Sequence, residues 1–193
     1  MNIKRLLQLT GVGYALVLIF IMIVFFVQSA STKTQIDNLV KKDQILLLSL
    51  SEMYAQGLQT GQALRNVLLN EQDVTAMKNF ERANEDFLKA HDQAVSVANR
   101  EAGEKLRKLN VIWEEDRQMK TRVLELSRSG KKGEALSFLN EQETKKWRET
   151  KALIIEMLEN QKSLVSKEVD RNRRSMRNNI ITMGLVITIA LTG

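Results

Sequence analysis

The chain has 193 residues, a formal net charge of +6, and neither proline nor cysteine. Missing cysteine excludes disulfides, thiolate nucleophiles, thiolate zinc sites and covalent haem attachment. Missing proline, with Leu, Glu, Lys, Gln, Ala and Asn abundant and no alternating strand pattern, favours long helices, and the basic residues are interleaved with Glu and Asp, so no nucleic-acid partner is expected.

Residues 1–5 form a short basic terminus containing Lys4 and Arg5. Leu6 to Val27 is an apolar run without a charge. At about 1.5 Å per residue it reaches about 33 Å, enough for a hydrocarbon core of about 30 Å. It therefore predicts a transmembrane helix over 6–28, and it is too long for the apolar region of a secretory signal peptide. Lys4 and Arg5 favour a cytoplasmic amino terminus, which places 29–179 on the far side of the membrane as one domain of about 150 residues. Ile180 to Thr192 is again apolar and uncharged. It covers only about 20 Å, which predicts the start of a second transmembrane helix over 180–193 and a chain that is the first part of a longer protein. Arg171, Arg173, Arg174 and Arg177 precede that run, where arginines snorkel to lipid headgroups.

Within 29–179 the apolar residues fall at spacings of three and four. Ile36, Leu39, Val40, Leu46, Leu47, Leu50, Met53, Tyr54, Leu58, Leu64, Val67 and Leu68, mostly at spacings of three and four, mark one face of a first helix continuous with the first span. Asn70-Glu71-Gln72-Asp73 ends it, and Asp73 is placed to cap the next helix. That second helix, from about Val74 to Asn99, carries Met77, Phe80, Phe87, Ala94 and Val97, with Asn84 and His91 near the same seam. A turn is expected near Arg100 to Gly103. The third helix carries Leu106, Leu109, Ile112, Trp113, Met119, Val123, Leu124 and Leu126 and stops at Ser127 to Gly133. The fourth is expected from about Glu134 towards Asn179. Two long outer helices and two shorter inner ones predict an all-α fold, an up-down-up-down antiparallel four-helix bundle flanked by two transmembrane helices, the second incomplete.

Counting outward from each turn puts Gly57, Thr60 and Gly61 level with Asn84, with Trp113 and Asp116, and with Trp147 and Arg148. Both tryptophans of the chain fall in that layer. Glycines at i and i+4 cost about 1 kcal/mol each relative to alanine, and serve either close packing against a bulky ring or a cavity. As a cavity, Trp113 and Trp147 supply apolar walls, Asn84 a hydrogen-bonding group, and Arg148 or Arg65 a fork for a carboxylate, so a small organic anion is the expected ligand; the other reading of Arg65 and Arg148 is an ordinary solvated face. His91, the only histidine, reads as a polar seam residue that fixes helix register, because one histidine builds no metal site. Asn84, His91, Asp116, Gln142 and Gln161 are expected to weaken the core locally. No nucleophile with a base, no phosphate loop and no catalytic carboxylate pair is visible, so neither enzyme activity nor a cofactor or metal is expected.

Leu64 to Asn70, and Ser129-Gly130-Lys131-Lys132-Gly133-Glu134-Ala135-Leu136 leading into Leu139 to Glu143, with Trp147-Arg148 and Lys151-Ala152-Leu153, resemble the extracytoplasmic four-helix-bundle sensor domain of bacterial methyl-accepting chemotaxis receptors. The resemblance covers the whole chain in layout. It implies a homodimer in the inner membrane with a periplasmic or extracellular sensor domain. It also implies a small-molecule ligand bound where the first and fourth helices meet, and a signal passed through the second span to cytoplasmic proteins. The same module precedes histidine kinases and cyclic-dinucleotide enzymes, and a membrane-tethered scaffold that binds another protein is a further alternative. Aspartate-sensing members use several arginines on the first helix; here Arg65 is the only arginine between 31 and 70. Recognition of that kind is not expected.

Overall fold

The computed structural model describes residues 3–192, with side chains throughout 41–185 and at scattered positions outside that range. Among the described residues every element is helical and no strand occurs. Helix α1 spans Ile3–Leu69, α2 Val74–Val97, α3 Arg100–Arg128 and α4 Lys132–Phe138. A π-helical turn, Leu139–Glu143, follows, and α5 runs unbroken over Thr144–Thr192.

The helix ends follow local chemistry. Asp73 accepts from the Ala76 backbone N–H at 2.9 Å and so caps α2, as its position predicts. Replacing Asp73 with alanine is expected to lower stability by about 1 kcal/mol, read as a shifted urea midpoint. Asn99 caps α3 through Ala102, so the connection is Ala98 and Asn99 alone, and Arg100 to Gly103, expected as a turn, is already helix. The asparagine side chain satisfies an N-terminal donor, which lets the helix begin earlier. At the other end of α3, Gly130 takes φ +77°, Gly130 N–H donates to Ser127 O and Lys131 N–H to Leu126 O. This paired closure needs a left-handed residue, which glycine supplies without a Cβ clash.

Two compact units divide the chain. In the unit Lys42–Leu164, one apolar cluster joins Leu50 and Met53 of α1, Phe87 of α2, Leu109 and Trp113 of α3, and Ile154 of α5. A second cluster joins Leu64 and Leu68, Phe80, Val123, Ala135 and Leu139. Polar side chains are buried at intermediate positions along each helix: Thr60 on α1, Asn84 on α2, Asp116 and Lys120 on α3, Glu143 in the π turn and Thr150 on α5.

The other unit comprises the described parts of Met1–Lys41 and Val165–Gly193. In it Phe20, Met22, Ile23, Phe26 and Val27 of α1, and Ile180, Ile181 and Leu185 of α5, are exposed. Among the described residues no helix is long and apolar enough to cross a membrane. Of the runs expected to span one, 6–28 and 180–193, the side chains at 6–10, 14, 16–18, 24, 28, 186–187 and 189–193 lie outside the described residues.

Candidate functional site

The layer that residue counting assembled is a packed one. Trp113 is fully buried and stacks on Phe87, with ring centroids 3.6 Å apart and planes 9° from parallel. Trp147 is half-buried and lies over Gly57, where an added Cβ would collide with Cη2 and Cζ3 of the indole. The glycine is therefore used for close approach to a bulky ring. Thr60 closes the same turn by donating to Gly57 O at 2.8 Å. Gly61 is covered by its own helix: Arg65 Nη1 donates to Gly61 O at 3.2 Å.

The seven residues singled out from the sequence divide accordingly. Gly57 and Trp147 meet directly, Trp113 reaches Trp147 through Lys120, and Asn84 is buried on α2, donating from Nδ2 to Phe80 O at 2.8 Å. Gly61 is buried under Arg65, while Arg65 and Arg148 are exposed. No guanidinium fork enters the layer from either arginine. A long cationic side chain on an outer helix face loses little by staying in water, where its charge keeps its hydration.

Two residues that the pattern missed join Asp116 in supplying the charge of this layer. Lys120 is fully buried, hydrogen-bonded to Asp116 and 3.8 Å from Glu143 Oε1. Its ammonium sits 4.5 Å from the Trp113 ring centroid and 5.4 Å from that of Trp147, both within cation–π range. Lys120 stands four residues beyond Asp116 and seven beyond Trp113, so the inward stripe of α3 does pass through it. Its charge argued for the outside; the stripe argued for the inside, and the stripe prevails because a counter-charge stands one turn away.

Glu143 turns inward because the helix widens. At Leu139–Glu143 the ladder steps to i→i+5, with Thr144 N–H donating to Leu139 O, and the Thr144 hydroxyl donates to the same carbonyl at 2.8 Å. Ala135, Leu139 and Glu143, spaced by four, therefore all face the core, whereas Gln142, expected on the seam, is exposed. In an ordinary α-helix the stripe drifts back to i+3 after a step of four; a wider turn holds it at i+4.

Burial raises the Asp116 carboxyl above its ordinary value, against the lowering pull of Lys120 and, more weakly, Lys146. Burial also raises Glu143, opposed by Lys120, reinforced by the Asp116 charge, and opposed again by Arg65 and the Thr144 hydroxyl. Lys146 itself is pushed up to about 12 by hydrogen bonds to Glu115 and Glu149. Asp116 Oδ1, Trp113 Nε1 and Asn84 Oδ1 are buried without a hydrogen-bond partner. Such groups are costly and rare in a packed interior, so this layer is the least satisfied part of the core.

Two other expected seam residues tie helices together at greater distance. His91 Nε2–H donates to Leu106 O at 3.0 Å, linking α2 to α3, and Gln161 Nε2 donates to Asp43 Oδ1 at 2.8 Å, linking α5 to α1. Both serve register.

Compared with known proteins, the chain matches no family model, no curated protein and no solved structure.

Proposed function

We propose that this chain is the sensing part of a membrane-anchored receptor of the chemotaxis type, an antiparallel up-down-up-down four-helix bundle that binds a small ligand and passes the signal along α5. The observation that carries the reading is the buried, incompletely paired polar layer, seated where the π turn feeds directly into α5. A core with unsatisfied polar groups is locally weak, and π turns recur at functional sites. A bias of about 1–3 kcal/mol between two packings suffices for coupling, and a helix shift of about 1–2 Å is within the known repertoire.

In this reading the apolar runs at 6–28 and 180–193 anchor the domain in a bacterial inner membrane, with 29–179 on the periplasmic or extracellular side. The exposed apolar side chains of Phe20, Phe26, Ile180 and Leu185 support it, since large apolar side chains left in the open along an apolar run suit lipid or a partner helix. A second copy of the chain completes the receptor, and the output belongs to a cytoplasmic signalling module. An anionic ligand that uses Arg65 and Arg148 meets them at the surface, because both are exposed.

A thermal-shift panel of small organic acids, amines and neutral solutes tests the reading on the chain in detergent. A ligand at one hundred times its Kd stabilises by about 2.7 kcal/mol, so a binder is expected to raise the midpoint by several degrees. If no member of the panel moves the midpoint while a protein partner is retained on immobilised chain, the scaffold alternative replaces the sensor.

A further inference from the structure

The polar layer holds two carboxylates and one ammonium. Asp116 and Lys120 are fully buried and Glu143 is 2 % exposed, so the charges cannot be balanced by water. The charged groups acting on the two carboxyls are Lys120 on α3, Lys146 on α5 and Arg65 on α1. From α2 the layer receives the neutral amide of Asn84. Lys120 bridges both acids, but its one charge offsets only one of them.

We propose that the Asp116–Lys120–Glu143 cluster is a proton-binding site, and that one proton taken up by its carboxylate pair is a signal this domain reads. The proposal rests on the sensor reading and names a ligand for the same layer. A proton suits the layer better than a larger cation because the space is already filled: Phe87 stacks on Trp113, and Trp147 occupies the notch over Gly57. It also answers the unpartnered atoms. Asp116 spends Oδ2 on Lys120 and leaves Oδ1 without a donor; Asn84 Oδ1, an acceptor, likewise has none. The pairs His91–Leu106 and Phe87–Trp113 advance in opposite directions along α2 and α3, and one further turn brings Asn84 level with Asp116. A proton on Asp116 converts that oxygen into a donor facing an acceptor-rich layer. On Glu143, it loosens the hold on Lys120. Burial favours the neutral acid at both positions, in the same direction.

The device that turns proton uptake into movement is the π turn. Glu143 is its last residue and Thr144 the first of α5. With Glu143 ionised, Lys120 holds it inward and the wide turn is kept. Once Glu143 is neutral, the turn is released to close as an ordinary α turn. Absorbing one residue of register in this way moves the following helix by about 1.5 Å along its axis.

Because the chain has two tryptophans and both border Lys120, its intrinsic fluorescence reports on the cluster. Emission of the whole chain in detergent is titrated from about pH 4 to about pH 8. We expect a single transition with a midpoint above the ordinary glutamate value of 4.5. It is lost in Glu143→Gln and retained in Glu141→Gln, an exposed neighbour on the same turn. Infrared difference spectra of the unmodified chain are expected to show a protonated carboxyl band over the same range, which keeps the test independent of how the variants fold. Hydrogen exchange of residues 139–150, corrected for the intrinsic pH effect, is expected to change across the transition. A flat titration, a transition that survives in both Glu143→Gln and Asp116→Asn, or a missing carboxyl band overturns the proton site. A transition without any change in exchange overturns the signalling role alone. The ligand panel fails or succeeds separately from all of these.

Discussion

Replacing Lys120 with methionine is expected to cost about 3–5 kcal/mol of folding stability near neutral pH, read from urea unfolding followed by circular dichroism. Methionine keeps much of the side-chain volume, so the loss is electrostatic in origin. It leaves Asp116 and Glu143 facing each other in a space closed to water, with no cation between them. Adding Asp116→Asn and Glu143→Gln to the same variant is expected to recover most of the loss, because a neutral polar layer carries no unpaired charge. A triple variant as unstable as the single one contradicts this account and points to lost packing of the lysine stem against Trp113 and Trp147.

The same cluster gives stability a pH dependence whose sign follows from burial. Asp116 and Glu143 both bind their protons more tightly in the folded chain than in the unfolded one. Their contribution is therefore fully present below the ordinary carboxylate pKa, falls as pH rises through the raised folded value, and is level above it. The Glu143→Gln variant is expected to show a shallower fall over that interval than the unmodified chain.

The second large effect is expected at Gly57. Alanine there gains about 1 kcal/mol of helix propensity but drives a methyl group into the Trp147 ring, and overpacking of this kind costs about 1–3 kcal/mol. The substitution is thus expected to destabilise, and to move the indole toward water with a red-shifted emission. In a chain already carrying Trp147→Ala the obstruction is gone, and Gly57→Ala is expected to reverse sign and stabilise by about 0.5–1 kcal/mol. Equal effects in the two backgrounds would separate Gly57 from Trp147 and remove the packing explanation.

Much of this is legible in the sequence. Helix class follows from composition; Asp73 and Gly130 mark ends because caps are made by a side chain or a φ angle within a few residues. Even the height of the central layer was accessible, since helices joined by short turns have a common rise per residue; counting placed Gly57 beside Trp147, where they meet. Arg65 and Arg148 fall at the right height but on the outside, because counting residues from a turn gives height along a helix and not the direction in which a side chain faces. Which residues face inward after α4 is set by the π turn, which no residue type encodes and which the exchange of Gln142 for Glu143 at the core reveals.

The amino-acid order by itself determined an all-helical chain, most of its breaks, and the height at which Gly57 meets Trp147, all of which depend on interactions within a few residues or on simple counting. Only the tertiary structure decided that a lysine and a second carboxylate lie inside. The cost of burying a charge depends on what stands opposite it, and the partner of Lys120 across the helix pair, Glu143, is 23 positions away, that being the difference of the two residue numbers.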